Sequence, residues 1–298
     1  MTATETSSAQ SFETYLEKKG HGTKTRATYT VQLNHYLQWL GNQPIEIIQT
    51  TNNDVLAYMK YCSNKGNTQK TIQHRLTCIS HYYNYLKKEG VIAHDPVLGI
   101  EVKGIKRNTL YQTIGPHELN NLYHQCPSGT PARKRNKVIL GLLVYQGLRT
   151  AELSKLVVKD IKLREAEIHI ARSRKCNERT LKLESHQILD MYDYLLQARP
   201  ALMSGKPQLA AGKETEQLFF NSSGSGRFSI VMRPVIRWLK ETSTKQVRAS
   251  VIVKWLKTYN LREAQYLAGH RYVSSTEKYK QNDLEGLQEE IQLYHPLG

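Results

Sequence analysis

The sequence predicts a mainly α-helical protein with one small β-sheet, divided into a helical N-terminal domain and a larger, mostly helical C-terminal domain that holds the sheet. Three observations predict this. Apolar residues recur at helical spacing from about residue 10 to 93, with no period-2 run among them. The stretch from Asp95 to Gln112 has no sustained periodicity and contains Pro96, Gly99 and Gly104 beside the basic cluster Lys103, Lys106 and Arg107, so it reads as a linker. Strict alternation appears only around residues 168–183. A chain of 298 residues is long enough for two domains that each bury a core without disulfides or metals.

Element by element, residues 1–10 are rich in Ser and Thr and are expected to be disordered, and a helical core domain is expected over residues 11–94. Tyr29, Leu33, Tyr36, Leu37 and Leu40 share a helix face, which Gly-Asn-Gln-Pro ends. Thr51, Asn52 and Asn53 open a second helix carrying Val55, Leu56 and Met59, and Ile72, Leu76, Ile79, Tyr83 and Leu86 mark a third that stops at Gly90. Past the linker at 95–112, a C-terminal domain spans 113–298: Pro116 opens a helix, and the apolar run from Val138 to Tyr145 ends at Gly147-Leu148-Arg149. Ile168 and Ile170 alternate with His169, and Leu181 and Leu183 with Lys182, around the polar stretch 172–177, so a hairpin with a basic tip is expected. Helices return at Gln187–Ala198 and, after the Gly/Ser-rich loop 221–226, from Ser229 onward, with Trp238 and Trp255 as core anchors.

Lys and Arg together number 42 against 26 Asp and Glu, a formal charge of +16 that attracts polyanions, of which nucleic acid is the commonest. Cys62, Cys78, Cys126 and Cys176 form no CxxC pair, so neither zinc nor a disulfide framework is indicated, and they read as reduced thiols. The polar start has no apolar signal core and no stretch is long enough to cross a bilayer, so a cytoplasmic protein without a membrane partner is expected.

Cutting a phosphodiester takes a nucleophile, cations for the charge on the phosphorane and an acid for the leaving oxygen, and side chains can supply all three without a metal or cofactor. The C-terminal half places candidates in the order Gly147-Leu148-Arg149-Thr150-Ala151-Glu152-Leu153, then Lys245-Gln246-Val247-Arg248, then Gly269-His270, then Tyr279 nine residues after the histidine. Alone, Arg149 beside a helix end reads equally well as a structural ion-pair partner of Glu152. A single histidine is more often structural, and Tyr279 is one of 18 tyrosines, so order and spacing carry the signal.

Those four boxes resemble the signature of the tyrosine recombinase (phage integrase) family, and the helical region followed by a basic linker is similar to that family's core-binding domain, so the resemblance covers roughly residues 10–298. It implies a two-domain, C-shaped clamp around duplex DNA and strand cleavage and rejoining through a 3′-phosphotyrosyl bond. Tyr279 would be the nucleophile, Arg149 and Arg248 would bind the scissile phosphate, and His270 would donate to it. Lys245 stands where the family usually has histidine. It can donate to a phosphate oxygen, but its ammonium cannot accept the tyrosine proton. The family's hairpin lysine, the leaving-group acid, falls on Arg174 in an ungapped match and on Lys175 if the loop is one residue shorter; Lys175 is preferred because an ammonium gives up a proton and a guanidinium hardly does.

The resemblance further implies backbone contacts from the first and third helices, for which Lys24, Arg26, Thr28, Lys70 and Arg75 are candidates, with the bland alternative that they line a solvated face. It implies inverted-repeat core sites, a homotetramer on DNA, and exchange between protomers of a C-terminal helix. Here Leu284, Leu287, Ile291 and Leu293 recur near helical spacing among acidic Asp283, Glu285, Glu289 and Glu290, a pattern that packing within the chain would also explain. Integration or excision of a mobile element is the expected role, since the lysine at 245 and the altered hairpin depart from the typical pattern. Three rivals remain: a DNA-binding homologue that has lost cleavage, a type IB topoisomerase, and an RNA-binding protein, separated by adduct formation, by relaxation without paired sites, and by preference for RNA.

Overall fold

The computed structural model describes residues 12–105, 112–174, 176–204, 216–220 and 228–280. The chain forms two compact units, Met1–Asn108 and Thr109–Gly298.

The first unit is all-helical among its described residues. Helix α1 runs through 12–18, α2 through Thr23–Leu40, α3 through Asn52–Asn64 and α4 through Gln69–Lys88, with one 3-10 turn at Ile47–Gln49. Helix α3 starts as its residues dictate: the Asp54 carboxylate accepts from the Thr51 backbone N–H at 2.8 Å and from its hydroxyl at 2.7 Å, holding the first turn closed. Thr68 caps α4 through its hydroxyl, and Gly90, with φ +73°, takes the chain out of that helix. The core is aromatic. Phe12, Tyr36, Tyr58 and Tyr83 are buried, and the hydroxyls of Tyr36 and Tyr83 satisfy one another at 2.8 Å, which removes the cost of burying two phenols. The expected linker departs from a free span. Val97 and Val102 are buried against this core and the Asp95 carboxylate holds the Val97 N–H, so the stretch is packed as far as residue 105, and 106–111 lie outside the described residues.

The second unit is built around α6, Pro131–Val144, whose last seven residues are all buried. Packed on it are α5 (Pro116–His124), α8 (Ser185–Asp193) with the π-helical turn Tyr194–Ala198 and α9 (Arg199–Ser204), α10 (Phe228–Trp238) and α11 (Thr244–Thr258). The short α7, Thr150–Leu153, follows the Gly147 turn; α12 covers Leu261–Ala268, and α13 runs through 274–280. The hairpin forms as the alternation requires. Strands β2 (Glu167–Ile170) and β3 (Arg179–Lys182) pair antiparallel with Ile168 opposite Leu181, and both of those side chains are buried. A third strand, β1 (Ile161–Lys162), pairs with β2; two residues are too few to declare a period. Trp255 is buried as expected. Trp238 is half-buried and spends its indole N–H on the Leu122 carbonyl at 3.0 Å.

Candidate active site

Gly147 brings the chain out of α6 with φ +55°, a conformation that costs an ordinary L-residue about 1 kcal/mol or more, and an added Cβ would lie 3.1 Å from a Val251 methyl. That turn sets Arg149 at the N-terminus of α7. The Glu152 carboxylate accepts the Arg149 backbone N–H at 2.8 Å but turns its side-chain pairing to Arg179, and the Arg149 guanidinium rests against the Cys176 thiol instead. An Arg149–Glu152 side-chain ion pair is thus absent; Glu152 pairs with Arg179 at 2.9 and 3.1 Å, a contact between α7 and β3.

Arg248 sits on the buried side of α11, one turn beyond Lys245. It is 6% exposed and donates to the carbonyls of Gly147 and Ala268 and, at 3.3 Å, to His270 Nε2. These acceptors are the ends of α6 and α12, so one guanidinium ties together the turns that carry Arg149 and His270. Burial and the nearby Arg149 charge pull its pKa down to about 10, and it stays charged at neutral pH.

Gly269 ends α12 in the left-handed conformation, φ +63°, and a Cβ there would run into the Arg179 guanidinium. The turn delivers His270 to a buried position where Nδ1 meets Thr276 Oγ1 at 2.9 Å and Nε2 faces Arg248. Because Arg248 can only donate, Nε2 accepts and Nδ1 carries the proton. Burial, reinforced by Arg248 and Arg149, holds the imidazole pKa down to about 3, so the ring is neutral. Tyr279 on α13 lies nearly parallel to it, 5.9 Å between ring centroids and 13° between planes.

A cleft of about 350 Å³ results, lined by Arg149, Thr150, Lys245, Arg248 and Tyr279 among others. Burial alone would push the Glu152 carboxyl up, but the hydrogen bonds and charge of Arg179 hold it at about 2, so the arginines gather around a permanent anion. Four of the six candidates therefore line one cleft, and His270 stands behind it. Lys175 lies outside the described residues, while Arg174 is exposed on the hairpin. Reasoning from sequence missed the roles of Arg179, Cys176 and Thr276. Arg179 left one usable sign, since it shares the inward face of β3 with Leu181.

The five candidate DNA contacts divide. Lys24, Thr28 and Lys70 are exposed, whereas Arg26 is paired with Glu17 and Glu13, and Arg75 is half-buried against Tyr58 and Cys62. No group of three or more His, Cys, Asp or Glu side chains able to hold a metal occurs among the described residues, and none of their helices is long and apolar enough to cross a membrane.

Residues 112–285 match the model of the phage integrase family, and residues 9–90 match the phage integrase N-terminal SAM-like domain. The chain belongs to the phage integrase family. It is a tyrosine site-specific recombinase. It is 26% identical over 290 residues to the tyrosine recombinase XerD of Proteus mirabilis, covering 94% of this chain and 90% of the relative. It is 25% identical over 272 residues to XerC of Roseiflexus castenholzii, covering 88% and 84%. Among solved structures, the XerH recombinase bound to a palindromic difH substrate matches with a TM-score of 0.71 at 18% identity, over 95% of this chain and 84% of that one. A lambda integrase dimer bound to a core site matches with a TM-score of 0.67 at 16% identity, over 92% and 76%. These similarities bear out the mainly helical fold with a small sheet and the recombinase assignment.

Proposed function

We propose that Tyr279 attacks the scissile phosphodiester of duplex DNA. The phenol gives its proton to solvent, and a bond forms between its oxygen and phosphorus as the bond to the 5′ oxygen breaks, leaving a 3′-phosphotyrosyl link and a 5′-hydroxyl whose return attack rejoins strands without ATP or another cofactor. The cleft that gathers Arg149, Lys245, Arg248 and Tyr279 carries this reading. Arg149 offers the phosphate a charged, planar pair of donors, Lys245 adds a mobile charge, and Lys175 protonates the leaving oxygen. His270 reaches the phosphate as a donor only after exchanging tautomers. Thr276 permits this, because its hydroxyl can donate to Nδ1 as readily as accept from it.

DNA trapped covalently on the protein in cells, recovered and sequenced, gives the recombination site, and Tyr279→Phe removes that adduct while leaving binding intact; an unchanged adduct in the variant overturns the assignment. Relaxation of a plasmid lacking the recovered site would instead mark topoisomerase behaviour. We further propose integration and excision of a mobile element at inverted-repeat core sites, with Lys24, Thr28 and Lys70 on the duplex backbone. Lys245 in place of the family's usual histidine supports this over a chromosomal housekeeping role. Recovered sites that lie at the ends of an excisable segment, with a circular form detected by outward-facing primers, are the expected result; a single chromosomal site without such a circle refutes it.

A further inference from the structure

We propose that Cys176 is a positioning residue for the phosphate-binding arginine, an inference that rests on the role given above to Arg149. Its sulfur accepts from Arg149 Nη1, and it is itself buried, 3% exposed, while Arg149 remains half-buried at the cleft. The thiol is itself held fast. The backbone of Cys176 pairs with that of His270 in an isolated bridge and closes a turn with Ser173; the next residue, Asn177, donates its N–H to the Gly269 carbonyl at 3.1 Å. Two residues further, Arg179 donates to the Leu267 carbonyl at 2.9 Å. The returning arm of the hairpin is therefore laced to the turn that presents His270, and Cys176 is where that lacing meets Arg149.

The chemistry of sulfur suits this place. A carboxylate there would form a short charge-assisted bond and neutralise the guanidinium before a phosphate could use it. An apolar side chain would leave a long arginine free to sample rotamers, all but one of which would have to be given up when the phosphate binds. A thiol is a weak, neutral acceptor, so it orients the guanidinium without competing with an anion. One of five N–H donors is engaged and the rest stay available.

The test uses the full chain with Cys176→Ala, Cys176→Ser and Cys176→Asp, and a nicked duplex carrying the site recovered from cellular adducts. Single-turnover cleavage should fall about five- to tenfold in the alanine variant, with little change in the Kd for the duplex. Serine should recover most of the loss, and aspartate should lose more than alanine. Cys176→Ala should cost almost nothing further on an Arg149→Ala background, a non-additivity that a general packing defect does not produce. Independently of cleavage, the Arg149 side-chain N–H signals in NMR spectra of the DNA-free protein should be restrained in wild type and Cys176→Ser and averaged by rotation in Cys176→Ala. Cleavage unchanged in the alanine variant, losses that add fully to those of Arg149→Ala, or an Arg149 equally restrained without the thiol would each overturn the proposal. If wild type forms no adduct, the cleavage reading fails, and the NMR comparison still decides whether Cys176 seats Arg149.

Discussion

The two arginines that flank the cleft share a charge and differ in what else they do. Arg149 gives the fold its backbone N–H and one contact to a thiol. Arg248 gives it two carbonyl contacts and a histidine from a buried position. Removing either guanidinium should slow single-turnover cleavage by roughly 10²-fold or more, because each loses a charge-assisted donor to the transition state. Stability should separate them. Arg149→Ala is expected to melt within a degree or two of wild type. Arg248→Ala leaves the Gly147 and Ala268 carbonyls buried without their donor, and about 1–3 kcal/mol of lost stability follows, read as a lowered Tm. Equal melting temperatures for the two variants would contradict this division of labour. At this scale box order and spacing in the sequence single out the two arginines that the fold brings to one cleft, Arg149 and Arg248. The sequence could not tell that Glu152 belongs to Arg179, because that pair spans 27 positions and is made only when β3 folds against α7.

The same pair makes the hairpin, α7 and the end of α12 one assembly with a definite acid sensitivity. Glu152 titrates at about 2 in the fold, well below a free glutamate, so its contribution is complete above about pH 4.5 and is lost as pH falls towards 2. His270 is held neutral with a pKa of about 3, so the unfolded chain takes up that proton first and stability falls as pH drops from about 6.5 towards 3. His81 and His186, also pulled down by burial, act in the same upper window. Denaturant midpoints measured from pH 7 to 4.5 should therefore decline in wild type and decline less in His270→Gln, before Glu152 begins to titrate. An identical slope in the variant would show that the imidazole is not buried neutral. Gly269→Ala should strain the same assembly by about 1–2 kcal/mol, through its positive φ and its contact with Arg179, and lower the Tm accordingly. The elements themselves were legible wherever a period had room to repeat: α2, α3, α4, α6 and the β2–β3 hairpin follow their apolar spacing. Strand β1 and helix α7, of two and four residues, owe their form to neighbours and leave no local trace.

At the scale of the whole molecule, the division into two units was visible as a loss of periodicity, while the packing of residues 97–105 on the first unit was hidden in two valines spaced too far apart to form a pattern. Assembly is a further step. We propose that the segment after Tyr279 docks on a neighbouring protomer of a tetramer bound to DNA. The residues concerned, Leu284, Leu287, Ile291 and Leu293 spaced among Asp283, Glu285, Glu289 and Glu290, lie outside the described residues, so the support is the sequence pattern and the family resemblance. Apolar residues at that spacing must be covered by something, and in a chain with a formal charge of +16 a segment rich in acidic residues is drawn to the basic surface of its own copies. Deletion from Asp283 onward separates the two coverings. If the stripe docks on a neighbour, the truncated protein stays soluble and still binds one half-site, but its complex with paired sites no longer reaches the mass of a tetramer by light scattering, and strand exchange loses its cooperativity. If the stripe covers its own domain, truncation exposes apolar core and the product aggregates or melts at a lower temperature. A truncated protein that assembles as a tetramer on paired sites would rule out the exchange, because the coupling between active sites would then be carried by surfaces that the deletion leaves in place.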